Sequence, residues 1–248
     1  MRQAGGVTAD GWTQAVRQQV GLGRIVPLGG PRDGAWIAER AATVPLRRAA
    51  ARGAPGVRLD GVRIGLAVPE EAGEPVVPPP PSALPPGPLR LSARFAATAA
   101  QPLPVTASLL RTVLADAAER IGLVVAEVDL RVTELLDTDP AVPPDAPEPE
   151  PEPAAGQRLP GDSEAGRVAA AVLAVPGVSR LTGTPAGPVR LYASGQPGGT
   201  ALPHRHARVD LAVRADHHPL EVARAVRAAV TASLPDHPTA TVLVTALD

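Results

Sequence analysis

The same helix-ending segment occurs twice in this chain. Residues 53–60 read GAPGVRLD and residues 174–181 read AVPGVSRL, and each follows a stretch rich in alanine and arginine. Proline ends a helix because it has no amide donor, glycine allows the turn, and valine favours a strand. Each segment therefore predicts a helix that stops and a strand that begins, at corresponding places in the two halves of the chain.

The elements around these segments follow one order in both halves. In the C-terminal half, hydrophobic periodicity predicts a helix, two strands, a helix and a last strand, over residues 163–174, 188–193, 207–215, 219–234 and 239–247. Asp162 or Ser163 can cap the first of these helices, and Pro219 starts the second. In the N-terminal half the corresponding elements are predicted over residues 35–52, 61–67, 89–97, 102–122 and 123–136.

The alternation of residue types predicts which faces are buried. In the C-terminal half, Val209 and Leu211 face the core, and the face of Arg208 and Asp210 is expected to be wet or to meet a partner. In the N-terminal half, Pro45 is expected to kink or split the first helix. The residues expected to face the core from the second helix and the last strand are Leu109, Val113, Ala117 and Ile121, and Val124, Ala126, Val128, Leu130 and Val132.

These patterns predict an α+β fold made by internal duplication. Two tandem two-layer units, each helix-strand-strand-helix-strand, are expected over residues 35–137 and 162–248. Two proline-rich stretches interrupt the pattern: residues 69–88 read as an extended loop inside the first unit, and residues 138–161 as an acidic, disordered linker rich in proline and glutamate. Residues 1–34 form a separate N-terminal segment.

Composition excludes several kinds of chemistry. The chain of 248 residues has 24 basic side chains, all of them arginine, and it has no cysteine. Without lysine there is no P-loop lysine and no Schiff base, and without cysteine there is no thiol nucleophile, disulfide or thiolate metal site. The formal net charge of −1 provides no general basic field for nucleic acid. The first twenty residues do not have the pattern expected of a signal peptide, and no stretch is apolar enough to predict a segment that spans a bilayer.

The histidines are the obvious candidates for a metal site, and they lie close together in the sequence: His204, His206, His217, His218 and His237. The first pair and the next pair lie at opposite ends of one predicted strand, roughly 30 Å apart at ~3.3 Å per residue. We therefore expect these histidines to lie in loops exposed to solvent and to bind no metal ion. Neither glycine-rich segment matches a nucleotide-binding motif, so no cofactor and no catalytic residue are predicted.

The N-terminal segment contains the candidate docking residues. Residues 10–20 predict a short helix with Trp12, Val16 and Val20 in one stripe. So apolar a stripe must dock, either on the first unit, where Trp36 at the start of the first helix could receive it, or on a partner or membrane surface.

Three segments of the C-terminal half, within residues 163–248, carry a family resemblance: RVAAAVLAVPGVSRL, RVDLAVRADHHPLEVARAVRAAV and ATVLVTAL. They resemble the alkaline shock protein family of bacterial envelope stress proteins, and the resemblance extends more loosely over residues 35–137. It implies a non-enzymatic, cytoplasmic scaffold, associated with the membrane only through a membrane-anchor protein, with related family members as further partners and with possible homo- or hetero-oligomers. The opening residues also resemble actinobacterial chains that carry a label borrowed from a baculovirus fibre protein.

Two other functions compete with the scaffold. The order of elements resembles that of KH-like nucleic-acid-binding modules, but the charge balance, the lack of a basic GXXG loop and the few aromatic residues argue against binding of nucleic acid. An enzyme would need a convergent set of catalytic residue types, and the sequence does not provide one.

Overall fold

The computed structural model describes residues 23–140, 163–183, 187–194 and 204–248. Within these residues the chain forms four α-helices and nine β-strands arranged in two sheets. The α+β class predicted from the sequence is therefore confirmed.

The three-stranded sheet belongs to the N-terminal half. Its strands are β3 (Val57–Leu66), β4 (Leu89–Thr98) and β5 (Val125–Leu136), in that order across the sheet. β3 runs antiparallel to β4, and β4 runs parallel to β5. Helix α1 (Glu39–Gly53) packs on β3, and α2 (Leu103–Ile121), which connects β4 to β5, packs on α1 and β5. β5 therefore lies at an edge of this sheet.

The six-stranded sheet is built mainly from the C-terminal half. Its central strand β8 pairs in parallel with β9 on one side and antiparallel with two short strands, β6 and β7, on the other. Helices α3 and α4 pack on each other beside these strands. The bounds of these elements are α3 Glu164–Leu173, β6 Val178–Leu181, β7 Val189–Ser194, β8 His204–Val213, α4 Pro219–Ser233 and β9 Thr239–Leu247.

The N-terminal segment completes the six-stranded sheet. Strands β1 (Ile25–Leu28) and β2 (Ala35–Ala38) form an antiparallel pair, and β2 runs parallel to β9. Strands β1 and β2 therefore belong to the sheet of the C-terminal half, although β1 lies in the predicted N-terminal segment and β2 at the start of the predicted first unit. The proposed division of the chain into units at residues 35–137 and 162–248 stays a prediction.

The glycines of the two helix-ending segments have the expected role. Gly56 has a φ of 75° and Gly177 a φ of 91°, a left-handed conformation that glycine adopts without strain. β3 starts at the next residue, Val57, and β6 starts at Val178. The cap of α3 is also confirmed, because the Ser163 hydroxyl accepts a hydrogen bond from the Gly166 amide at 3.0 Å.

The predicted first helix is wrong at its start. Residues 35–38 form strand β2, and the helix begins at Glu39. All four strand residues are buried, and a short apolar run of this kind fits a buried strand as well as a helix. Pro45 lies inside α1 without splitting it, because burial of Ala42, Leu46 and Ala50 offsets the one lost backbone hydrogen bond.

The predicted inward stripe of α2 is also partly wrong. Leu109 is exposed, and the residues that α2 buries are Thr106, Leu110, Leu114, Ala117, Ala118 and Ile121. The helix has apolar residues at neighbouring positions, such as Leu109 and Leu110, so two stripes one residue apart fit the same period. Contact with α1 and β5 selects between them.

The last strand of the N-terminal half is more exposed than its alternation predicts. The side chains of Val124 and Val132 are 51 % and 38 % exposed, and Ala126 is exposed as well. Val128 and Leu130 are only half-buried, in contact with the core. The prediction of an inward face is wrong for the exposed residues, because β5 is an edge strand that α2 covers only in part.

The proline-rich loop of residues 69–88 folds back on the six-stranded sheet. It contains a short 3₁₀-helix (Pro69–Glu71), so it is not extended throughout. The Leu84 amide donates to the Ile25 carbonyl at 2.9 Å, and the Thr241 hydroxyl donates to the Pro78 carbonyl at 2.7 Å. Val77 is buried against the sheet. A loop of the first half thereby covers part of the outer face of the sheet, the face that points away from α3 and α4.

Candidate functional site

The predicted docking residues are only partly within the described structure. Trp12, Val16 and Val20 lie outside the described residues, so docking of that stripe stays a prediction. Trp36 lies in strand β2 rather than on a helix, and it is 0 % exposed. Its ring packs with Ile25, Val77 and Leu243, and its indole nitrogen donates to the Leu84 carbonyl at 3.1 Å. Because residues of the chain already cover this ring, it offers no surface to a partner.

The arginine and aspartate face of β8 is buried, and the expectation of a wet face is wrong. Arg208 and Asp210 are both nearly inaccessible to solvent. The Asp210 carboxylate accepts from Arg208 Nε at 2.9 Å and from Arg190 Nη2, on the neighbouring strand β7, at 3.1 Å. The charges that would need water are thus paired with each other inside the protein.

Burial changes the pKa values of Asp210 and of the neighbouring Tyr192. Burial raises the pKa of the Asp210 carboxyl above its ordinary value, and the adjacent Arg208 and Arg190 oppose that shift. Burial also raises the pKa of the neighbouring Tyr192. The sequence contains a signal for this ion pair. Arg208 and Asp210 have opposite charges and lie two positions apart, so their side chains are neighbours on the same face of the strand.

His206 lies next to this ion pair. Its Nδ1 is 2.7 Å from the Thr239 hydroxyl, its ring lies 5.2 Å from the Tyr192 ring, and its Nε2 is buried without a hydrogen-bond partner among the described residues. Burial, together with the positive charge of Arg227, lowers the pKa of His206 to about 4. The side chain is therefore neutral at pH 7.

His206 should make the fold sensitive to acid. The unfolded chain takes up this proton as the pH falls below about 6.5, whereas the folded protein resists it down to a pH of about 4. Stability is therefore lost as the pH falls through this window, by on the order of 2 kcal/mol after allowance for solvent screening. Urea unfolding of His206→Gln at pH 7 and pH 4.5 should show a weaker pH dependence than that of the unmodified chain.

A control for this experiment is Thr239→Val. It removes the hydroxyl that contacts Nδ1 but keeps the histidine, so it should lower stability without flattening the pH dependence. Asp210 has the opposite effect on the pH dependence of stability, because its raised pKa favours proton uptake by the folded protein. Parallel pH profiles for the unmodified chain and His206→Gln would show that His206 does not cause the acid sensitivity.

The other histidines have separate surroundings. His217 Nδ1 is 2.8 Å from Asp216, and hydrogen bonds from His217 and Arg214 lower the pKa of Asp216 to about 2. His237 Nδ1 is 3.1 Å from the Thr231 carbonyl. Within the described residues, no three His, Asp or Glu side chains are grouped so that they could hold a metal ion.

The free side of β5 is the most accessible candidate for a binding surface. We term the side of Val125–Leu136 that faces away from β4 the β5 edge, and no described strand pairs with it. Large apolar side chains are exposed along it and just before it, with Leu135 59 % exposed. On α2, which packs on β5, Val105 and Leu109 are exposed as well. An unpaired strand with apolar side chains is a template for the addition of another strand.

The charges of β5 lie on the face opposite its valines. Arg90 of β4 contacts Glu127 at 2.6 Å and Asp129 at 3.4 Å. Arg131 instead lies directly beside Arg94 in the register, and no described residue forms a hydrogen bond or ion pair with it. Like charges side by side on neighbouring strands are unfavourable. Arg111 of α2 donates to the Val128 carbonyl at 3.4 Å, which covers the β5 edge at that point.

Comparisons with known proteins identify no relative of this chain: no family model, no curated protein and no solved structure matches it. None of the helices in the described part of the chain is long and apolar enough to cross a membrane.

Proposed function

We propose that this chain is a non-enzymatic scaffold that acts through protein–protein interaction in the homeostasis of the cell envelope. The observation that supports interaction is the β5 edge, a strand of twelve residues with one unpaired side and exposed apolar side chains. The envelope context rests on the resemblance of the sequence to alkaline shock proteins. In this proposal a membrane-anchor protein holds the chain near the cytoplasmic face of the membrane, and related scaffold chains bind to it.

The proposal includes an internal duplication, for which the sheets offer support. The element order is α1-β3-β4-α2-β5 in one half and α3, β6 with β7, β8, α4 and β9 in the other. In each half the middle strand pairs antiparallel with the strand before it and parallel with the strand after it. Equal order and equal strand directions are what two diverged copies of one unit would produce.

The duplication also gives the β5 edge a counterpart. In the comparison of the two halves, β5 corresponds to β9, and the outer side of β9 is occupied by strand β2. The same kind of unit thus accepts an additional strand at this position. By analogy, the β5 edge is the position at which the N-terminal half would bind a partner.

A photocrosslinking experiment in the native host tests the proposed function. A photoreactive residue at position 135, on β5, should form adducts with another protein chain, either an integral membrane protein or a second scaffold chain. Position 76 is the matched control, since Val76 lies in the proline-rich loop with an exposure of 60 %, close to that of Leu135. Absence of protein adducts at position 135, or equal adducts at both positions, would contradict the proposal.

A filter-binding assay tests the competing function. The scaffold should show no salt-sensitive, micromolar binding of RNA or single-stranded DNA, because a nucleic-acid module depends on phosphate contacts that salt weakens. Binding that weakens steeply as salt rises would favour the KH-like alternative instead.

A further inference from the structure

We propose that the partner at the β5 edge is a second copy of this chain, joined by antiparallel pairing of β5 with β5 about a two-fold axis at Leu130. The inference rests on the proposed function as far as it assigns the β5 edge to protein binding. Beyond the proposed function, we specify which protein binds to the β5 edge, in which direction its strand runs and which residues lie opposite each other. A pair of this kind is isologous, so each contact between two different residues occurs twice.

The register follows from the order of residues along β5. With Leu130 opposite Leu130 of the second copy, Val128 lies opposite Val132, and Asp129 lies opposite Arg131. Residues 127–132 pair with β4 without a bulge, so this stretch alternates regularly between the two faces. Apolar residues then meet apolar residues on the helix-covered face, and opposite charges meet on the other face.

The alternative registers are electrostatically unfavourable. A two-fold axis keeps each side chain on its own face, so the strands can shift only by moving the axis to another residue. An axis at residue 129 places Glu127 opposite Arg131 but also Asp129 opposite itself, and an axis at residue 131 places Arg131 opposite itself. Of these three registers, the one centred on Leu130 alone pairs Asp129 with Arg131 and opposes no like charges. Like-charge contacts therefore act against slippage of the register.

The surroundings of Arg131 support the same arrangement. In one chain this arginine lies beside Arg94, and no described residue pairs with it. Asp129 has a contact of 3.4 Å with Arg90, and its side chain is still 64 % exposed. In the dimer Asp129 of the second copy supplies the opposite charge that no described residue of the single chain provides to Arg131. The two-fold axis also places both α2 helices, with the exposed Val105 and Leu109, on one face of the joined sheet.

Charge reversal at the two central positions tests the inference. Analytical ultracentrifugation of the full chain, from about 1 to about 100 µM, should show a monomer–dimer equilibrium. Arg131→Asp places two carboxylates opposite each other and should weaken dimerisation at least about tenfold, and Asp129→Arg should do the same with two guanidinium groups. The double variant Asp129→Arg with Arg131→Asp restores opposite pairs and should dimerise again. A mixture of the two single variants should form a mixed dimer.

Controls separate this inference from the proposed function and from unfolding. Arg47→Asp, at an exposed position on α1, makes the same charge change away from β5 and should leave dimerisation unchanged. Circular dichroism and urea unfolding of each variant show that the fold is retained. A chain that stays monomeric at the highest concentration, or an equal effect of Arg47→Asp and Arg131→Asp, would overturn the dimer. If position 135 still crosslinks to a membrane protein in that case, the proposed scaffold function stands and only its occupant at the β5 edge is wrong.

Discussion

The Asp210→Ala variant should unfold with a free energy about 3–5 kcal/mol lower than that of the unmodified chain. Asp210 is buried between Arg208 and Arg190, and the side chain of Arg208 is itself only 10 % exposed. Removal of the carboxylate leaves a buried guanidinium without a counterion and without its hydrogen-bond acceptor. Such a group costs more to bury than the ion pair does. Urea unfolding at pH 7, followed by circular dichroism, measures the loss.

The matched control for this variant is Asp129→Ala. Asp129 also lies on a strand and also contacts an arginine, Arg90 at 3.4 Å, but both side chains are largely exposed. Water solvates these charges in either case, so at a protein concentration low enough to keep the chain monomeric the variant should be much closer in stability to the unmodified chain. Similar losses in Asp210→Ala and Asp129→Ala would show that the buried pair is not the cause of the effect.

A double variant separates the cost of an unpaired charge from the strength of the pair. Arg208→Met with Asp210→Leu replaces the two most buried partners by apolar side chains of comparable size, and leaves only Arg190, whose side chain is 28 % exposed, without the carboxylate. Replacement of a whole buried pair is often neutral or stabilising, so this variant should recover much of the stability that Asp210→Ala loses. If it is as unstable as Asp210→Ala, packing rather than charge is responsible.

Most of the order of elements, apart from strands β1 and β2, was predictable from the sequence because it depends on local chemistry. Breaks at Pro-Gly-Val, alternation in strands and the cap at Ser163 act within a few residues, and the structure confirms each of them. The pairing of strands depends on distant residues instead. No local pattern indicates that β2 would join β9, which follows it by about two hundred residues, so the same apolar run was assigned to a helix.

The degree of burial was harder to predict for the same reason. Alternation shows that a strand has two faces but not what covers each of them. The polar face of β8 appeared wet from its arginine and aspartate, yet ion pairing allows it to be buried. The valines of β5 appeared buried from their spacing, yet they lie on an edge that α2 covers only in part. Both predictions were wrong because the residues that cover these faces are distant in sequence and cannot be identified from a local pattern.

The proline-rich loop shows how a variable insertion can become part of the core. It carries few amide donors, so it cannot form a sheet strand, but its carbonyl groups are free to accept. Trp36 and Thr241 use two of these carbonyls, those of Leu84 and Pro78. Val77 adds an apolar contact with the tryptophan ring cluster. The loop is therefore attached to the sheet through Trp36 and its neighbours, together with an isolated backbone bridge between Ala83 and Ile25 of β1.

Trp36→Ala should accordingly destabilise the protein by about 3–5 kcal/mol. The ring is fully buried, and its removal leaves a cavity between β2, β9 and the proline-rich loop, with the Leu84 carbonyl unpaired. Urea unfolding measures the total loss. Hydrogen exchange of the Leu84 amide, which donates to Ile25, measures the detachment of the loop and should become faster.

Trp36→Phe separates the two contributions of the side chain. It keeps most of the apolar contact but loses the hydrogen bond to Leu84, so the loss of stability should be clearly smaller than that of Trp36→Ala. Val76→Ala, at an exposed position of the same loop, should change neither stability nor the exchange of the Leu84 amide. If Trp36→Ala lowers stability but leaves that exchange unchanged, the ring stabilises the sheet alone. The loop would then be held by its other contacts with the sheet, among them the hydrogen bond from Thr241 of β9 to the Pro78 carbonyl.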